Sequence, residues 1–127
     1  MGPYLIDNNA ISNFFSSHFN DNGMDFVAAV IDQTPLISVI TEIEALSWVN
    51  KDKSKELLIQ QFIDDARILS LSPLIVSHCV RLRRSRRIKT PDAIIAATAI
   101  AHDLTLITSD KDFANIDGLK VVDPNDL

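Results

Sequence analysis

The chain has 127 residues, of which 46% are hydrophobic, with few Gly and Pro, a length and composition that suit one globular domain and exclude a disordered chain. No apolar run approaches the ~20 residues of a membrane span, and no basic-then-apolar secretory leader opens the chain, so a cytoplasmic protein with no membrane partner is expected. Cys79 stands alone, which rules out an internal disulfide or a multi-cysteine zinc site. The formal charge of −5 argues against a nucleic-acid partner until its distribution is read, because Arg81, Arg83, Arg84, Arg86, Arg87 and Lys89 hold half of the twelve basic residues in one stretch.

Apolar strand-like runs alternate with helix-like segments, the pattern of an α/β fold with a parallel sheet. The first strand is predicted over Tyr4–Asp7, followed by helical segments near Asn9–Phe15 and Asp21–Asp32. A second strand over Leu36–Ile40 leads into a helix from about Thr41 to Val49. Asp52 or Ser54 can cap the next helix, which carries Leu57, Leu58, Gln61, Phe62 and Ala66 at helical spacing. A third strand reads Arg67–Leu71, and Pro73 suits the first turn of a helix running to about Arg87. Thr90 as cap and Pro91 at the first turn open an Ala/Ile helix over Asp92–His102, apolar enough to be buried. A fourth strand at Leu104–Thr108, a short helix near Lys111–Asn115 and a last strand at Leu119–Asp123 complete the order.

Four carboxylates fall at the strand-to-helix junctions or helix starts of this pattern: Asp7, Glu44, Asp92 and Asp110. Open parallel sheets bind ligands beyond the carboxyl ends of their strands, so the four converge if strands one and four are neighbours. Gathered carboxylates repel and need a cation, and an all-oxygen set favours Mg²⁺ or Mn²⁺. Such an ion can activate water against a phosphodiester. Each acid also has a structural alternative. Asp7 can cap a helix, Asp92 can favour a helix dipole, and Thr41-x-x-Glu44 matches a capping box. Glu42 competes with Glu44, and Asp112 with Asp110. Asn9, Ser12 and Thr108 can orient carboxylates or water. His18, His78 and His102 share no spacing, and Cys79 and His78, as helix neighbours, point apart. Trp48, Phe14, Phe15, Phe62 and Phe113 are assigned to the core.

The segments YLIDNNAIS (4–12), ISVITEIEAL (37–46), TPDAIIAATAIAHDLTLITSDKDF (90–113) and GLKVVDP (118–124) resemble the PIN-domain family, in particular VapC-type toxins of prokaryotic toxin–antitoxin pairs. The resemblance covers nearly the whole chain and implies a three-layer α/β/α sandwich. It carries the family's four acids onto Asp7, Glu44, Asp92 and Asp110, and leaves Asp112 as an alternative to the fourth. Asn8 replaces a common Thr or Ser after the first acid, while Asn9 keeps the common Asn. What it implies further is an endoribonuclease dependent on Mg²⁺ or Mn²⁺, held in check by a cognate antitoxin and often homodimeric. Arg81, Arg83, Arg84, Arg86, Arg87 and Lys89 would then contact RNA phosphates. The alternatives are a non-catalytic RNA- or protein-binding module on the same fold, or a metal-dependent DNA phosphoesterase. A phosphoacceptor domain fits less well, since the third strand runs into Leu71-Ser72-Pro73 with no acceptor Asp.

Overall fold

A computed structural model describes residues 3–127. Five short strands, β1 (Tyr4–Ile6), β2 (Leu36–Ser38), β3 (Arg67–Leu69), β4 (Thr105–Ile107) and β5 (Lys120–Val122), form one sheet in the order β3-β2-β1-β4-β5. All four pairings are parallel, with Leu5 opposite Leu36 on one side and Leu106 on the other. The helices are α1 (Asn8–Phe15), α2 (Asp21–Asp32), α3 (Val39–Leu46), α4 (Lys53–Asp65), α5 (Pro73–Ser85) and α6 (Thr90–Ala101). None is long and apolar enough to cross a membrane.

The alternation of strand side chains explains the three layers. Leu5, Leu69 and Leu106 join one core with Ile75 and Leu82 of α5 and Ile95, Ala96 and Ala99 of α6. Their neighbours Ile6, Ile37 and Ile107 turn to the other face and pack on Ile11 of α1, Val27 of α2 and Ile59 and Phe62 of α4. Both sheet faces are covered, which is why the strands read as unbroken apolar runs. In α6 the small residues Ala93, Ala96, Ala97 and Ala99 are wholly buried, and α6 packs closely along α5. The edge strands carry exposed Arg67 and Lys120, charges that discourage pairing with another chain.

Several boundaries differ from the sequence expectation. Strand β2 stops at Ser38, whose hydroxyl accepts the Ile40 amide 2.9 Å away and starts α3 there. Thr41 therefore lies inside the helix, buried, and its capping box with Glu44 does not form. Asp52, not Ser54, caps α4. Helix α5 ends at Ser85 because Arg86 turns extended, and Lys89 rather than Thr90 precedes the first turn of α6.

Candidate active site

The chain runs from β1 outward to β3, then crosses to β4 and β5, so the crevice at the carboxyl ends of β1 and β4 is the switch point of the sheet. Asp7 follows β1 there, with its amide bonded to the Ile107 carbonyl at 3.1 Å. The residue is only 6% exposed. One oxygen accepts the Asn8 amide and the other accepts the Thr108 hydroxyl, both at 2.8 Å. Thr108 in turn accepts the Asp110 amide at 3.1 Å, so one hydroxyl ties the end of β1 to the loop after β4. Asn9 completes the network, its side-chain oxygen 3.2 Å from the Thr108 hydroxyl and 3.4 Å from the Ser109 amide. Ser12, exposed on α1, lies outside this network and lines a small apolar pocket with Phe15, Trp48 and Leu58.

Asp110 is half-buried and accepts the Asp112 amide at 2.9 Å, which caps a 3-10 turn at Lys111–Phe113. Asp92, at the start of α6, approaches the same loop. Asp92, Asp110 and Asp112 each offer an oxygen within 4.8 Å of the others. Asp7 and Glu44 lie outside this tight trio but within Coulombic reach of it: Asp7 feels Glu44 and Asp110, and Glu44 feels Asp92. Five carboxylates thus share one end of the sheet, and none of them joins the ion pairs among the described residues, Lys53–Glu56, Lys111–Asp123 and Lys120–Asp103.

This crowding raises proton affinity. Burial pushes the Asp7 carboxyl up to about 6, against the opposing hydrogen bonds from Thr108 and Asn8, with Glu44 and Asp110 adding repulsion. Glu44 is raised by partial burial and by Asp92. Asp92 is raised by partial burial and then by Asp110 and Asp112, with Lys89 pulling the other way. An oxygen-only donor set, close-packed and without a paired Lys or Arg, fits a hard divalent cation, which would relieve all three shifts together.

An open cleft of about 520 Å³ borders the trio. Asp92 and Asp112 line it together with Arg83, Arg86, Arg87, Lys89 and Lys111. The basic stretch is divided by the fold. Arg83 donates to the Thr90 hydroxyl at the start of α6. Arg86 is half-buried and bonded to the loop after the 3-10 turn. Arg81 contacts His78 and, like Arg84, is absent from the lining of this cleft. Lys111 joins the cleft unannounced by sequence, because its position depends on the short turn between Asp110 and Asp112. His18 and His102 are exposed.

Away from the acids, α3, α4 and their connection expose Ile43, Leu46, Trp48, Val49, Leu57 and Leu58. Trp48 is 41% exposed, so its assignment to the core is corrected. Phe113 and Phe62 are buried as expected, and Phe14 and Phe15 are half-buried in edge-to-face contact.

A family model described as PIN domain matches residues 4–119. No curated protein matches the chain by sequence at a significant level. Among solved structures, a toxin–antitoxin complex from Klebsiella pneumoniae is 33% identical, with a TM-score of 0.75 over 95% of this chain and 97% of that one. FitAcB from Neisseria gonorrhoeae is 26% identical, with a TM-score of 0.79 over 98% and 99%. VapBC2 from Rickettsia felis, bound to a promoter DNA fragment, shares the fold at 23% identity and a TM-score of 0.78 over 96% and 98%. With the family match spanning β1 to β4 and the acidic switch point between them, the chain belongs to the PIN-domain family.

Proposed function

We propose that this chain is a metal-dependent endoribonuclease that acts as the toxin of a toxin–antitoxin pair in the cytoplasm. One observation carries the reading: Asp92 and Asp112 of the acidic trio line a cleft together with five cationic side chains and Ile88, so carboxylates for a cation and cations for phosphates meet at one place. Asp7, Glu44, Asp92 and Asp110 would hold Mg²⁺ or Mn²⁺, with Asp112 able to share the ion through its place in the trio. When bound, the cation supplies Lewis acidity for phosphodiester hydrolysis near neutral pH. Thr108 holds the Asp7 carboxylate and the Asp110 backbone in one frame, and Asn9 braces Thr108. Arg83, Arg87, Lys89 and Lys111 would neutralise phosphates on either side of the scissile bond.

The exposed apolar surface of α3 and α4 is the place for an antitoxin to dock. Six large apolar side chains meet solvent there, and an apolar patch of that kind marks a protein interface. The Klebsiella relative, itself a toxin–antitoxin complex, supports such a partner. A homodimer belongs to the same proposal, with half-exposed Leu74, Val76 and Val80 of α5 as surface to bury.

The test is cleavage of matched single-stranded RNA and DNA of one sequence in Mn²⁺. RNA cut with DNA left intact supports the proposal. DNA cut in preference transfers the site to the DNA phosphoesterase alternative.

A further inference from the structure

Arg86 differs from the rest of the basic stretch. It is half-buried, whereas Arg83, Arg84 and Arg87 are exposed. Its backbone leaves the helix extended. That turn carries the guanidinium across to the loop after β4, where one terminal nitrogen donates to the Asn115 carbonyl at 2.8 Å and the other to the Ala114 carbonyl at 3.3 Å. Neither carbonyl is bonded by a backbone amide, and Asn115 sits at φ 60°, a left-handed turn. The Arg86 Nε is buried without a partner.

The loop so held is the one that carries Asp110 and Asp112. Between Asp112 and the bonded carbonyls stands Phe113, 1% exposed in the core. Beyond the Thr108 bond at its start, the loop therefore has an apolar anchor at Phe113 and a polar one at Arg86. Three carboxylates within 4.8 Å repel one another when no cation is present, and the strain is shared between α6, which carries Asp92, and the turn that carries Asp110 and Asp112. Asp92 is fixed by α6. The Asp110–Asp112 turn is a short 3-10 turn, tied at its start by the Asp110 amide to Thr108 and beyond its end by the bonds from Arg86.

We propose that Arg86 is a positioning residue rather than an RNA contact: its paired hydrogen bonds to Ala114 and Asn115 fix the Asp110–Asp112 turn against Asp92, so that the acids are already arranged for a divalent cation. The inference rests on reading those acids as metal ligands. A planar two-pronged donor is what two neighbouring carbonyls require, and lysine offers a single point charge instead. The basic stretch then has two tasks, with Arg87 and Lys89 left for phosphates and Arg86 withdrawn from them.

The test uses the whole protein with Mn²⁺ alone as the probe, titrated by calorimetry into the unaltered chain, Arg86→Lys and Arg87→Gln. Salt dependence of single-stranded RNA binding is measured in EDTA on the unaltered chain, Arg86→Gln and Arg87→Gln, each variant lacking one positive charge. Arg86→Lys is expected to weaken Mn²⁺ binding about tenfold, as loss of an outer support to a metal site commonly does. Excess Mn²⁺ should restore its RNA cleavage, which a merely misfolded variant would not allow, and Arg86→Gln should leave the salt slope of RNA binding unchanged. Arg87→Gln is expected to behave in the opposite way, with Mn²⁺ affinity kept and the slope reduced by about 0.7. Unaltered Mn²⁺ affinity in Arg86→Lys, or a slope that falls in Arg86→Gln as it does in Arg87→Gln, overturns the proposal. If Arg86→Lys does not fold, the Nε–Hε resonance of Arg86 in the unaltered protein decides: a signal indifferent to RNA supports the positioning role, and one that shifts with RNA occupancy overturns it. No Mn²⁺ uptake by the unaltered protein overturns the metal reading itself, and the positioning role with it.

Discussion

Removing the charge of Asp7 should make the metal-free protein more stable. The Asp7 carboxyl is raised from its ordinary 3.8 to about 6, chiefly by burial, so the folded state binds its proton about 3 kcal/mol more tightly than the unfolded chain does. That preference stabilises the fold below pH 3.8, is lost progressively as the pH rises to about 6, and is absent above it. At pH 8 the folded protein therefore carries the full cost of a buried anion. Asp7→Asn removes that cost with a side chain of the same shape. The Asn8 amide keeps its acceptor, while the Thr108 hydroxyl must turn from donor to acceptor, a loss of about 1 kcal/mol. The net gain is about 2 kcal/mol, or roughly 8 °C in Tm for a domain of this size. Thermal unfolding in EDTA at pH 8 and pH 4 measures it, with the gain expected at pH 8 and largely gone at pH 4. Divalent cation should then stabilise the unaltered protein but not Asp7→Asn, and its affinity should rise with pH through about 6 as the acids release protons. An Asp7→Asn protein no more stable than its parent at pH 8 would refute the reasoning, because Asp7 would then be neither desolvated nor strained by its neighbours.

Other substitutions probe the frame around the acids. Thr108→Val deletes the donor to Asp7 and the acceptor for Asp110, and is expected to cost about 1–3 kcal/mol and to move the acid limb of the RNA cleavage pH profile upward, since a bond that lowers the Asp7 carboxyl is lost. Urea titration and a pH–rate profile check the two effects. Gly23→Ala places a Cβ 2.4 Å from the Pro124 carbonyl oxygen, a backbone atom that cannot swing aside, and should destabilise the fold by roughly 1–3 kcal/mol in urea by dislodging the C-terminal turn from α2. Leu58→Asp, on the exposed face of α4, should leave the melting curve within about 0.5 kcal/mol of the parent while abolishing capture of the antitoxin.

Much of the fold was legible because a parallel sheet covered on both faces imposes continuous apolar strands and apolar helix stripes. The acid at the end of β1 and the acid opening α6 stood out for the same reason: each is a charge beside a stretch with no other use for one. The start of α3 was misread because Ser38 and Thr41 are both capping residues and the β-branched Val39 and Ile40 between them extend the strand pattern. Only the Ser38–Ile40 hydrogen bond separates the two choices. Helix α5 was drawn too long because its last arginines are good helix formers, and the reason for stopping lies in the loop that Arg86 reaches, 28 and 29 residues further on. The size and apolarity of Trp48 point inward, and nothing local marks an apolar residue that the fold leaves exposed. The grouping of Asp112 with Asp92 and Asp110 likewise needed three dimensions.

The most direct test of the central claim is cleavage of a mixed RNA pool in Mg²⁺ or Mn²⁺ by the unaltered protein and by Asp92→Asn, each with an EDTA control. Asp92 stands in the acidic trio and in the cationic cleft, so the account predicts discrete fragments that require the cation and vanish with Asp92→Asn. Fragments produced equally by both proteins would contradict it, because the cutting would then owe nothing to the site.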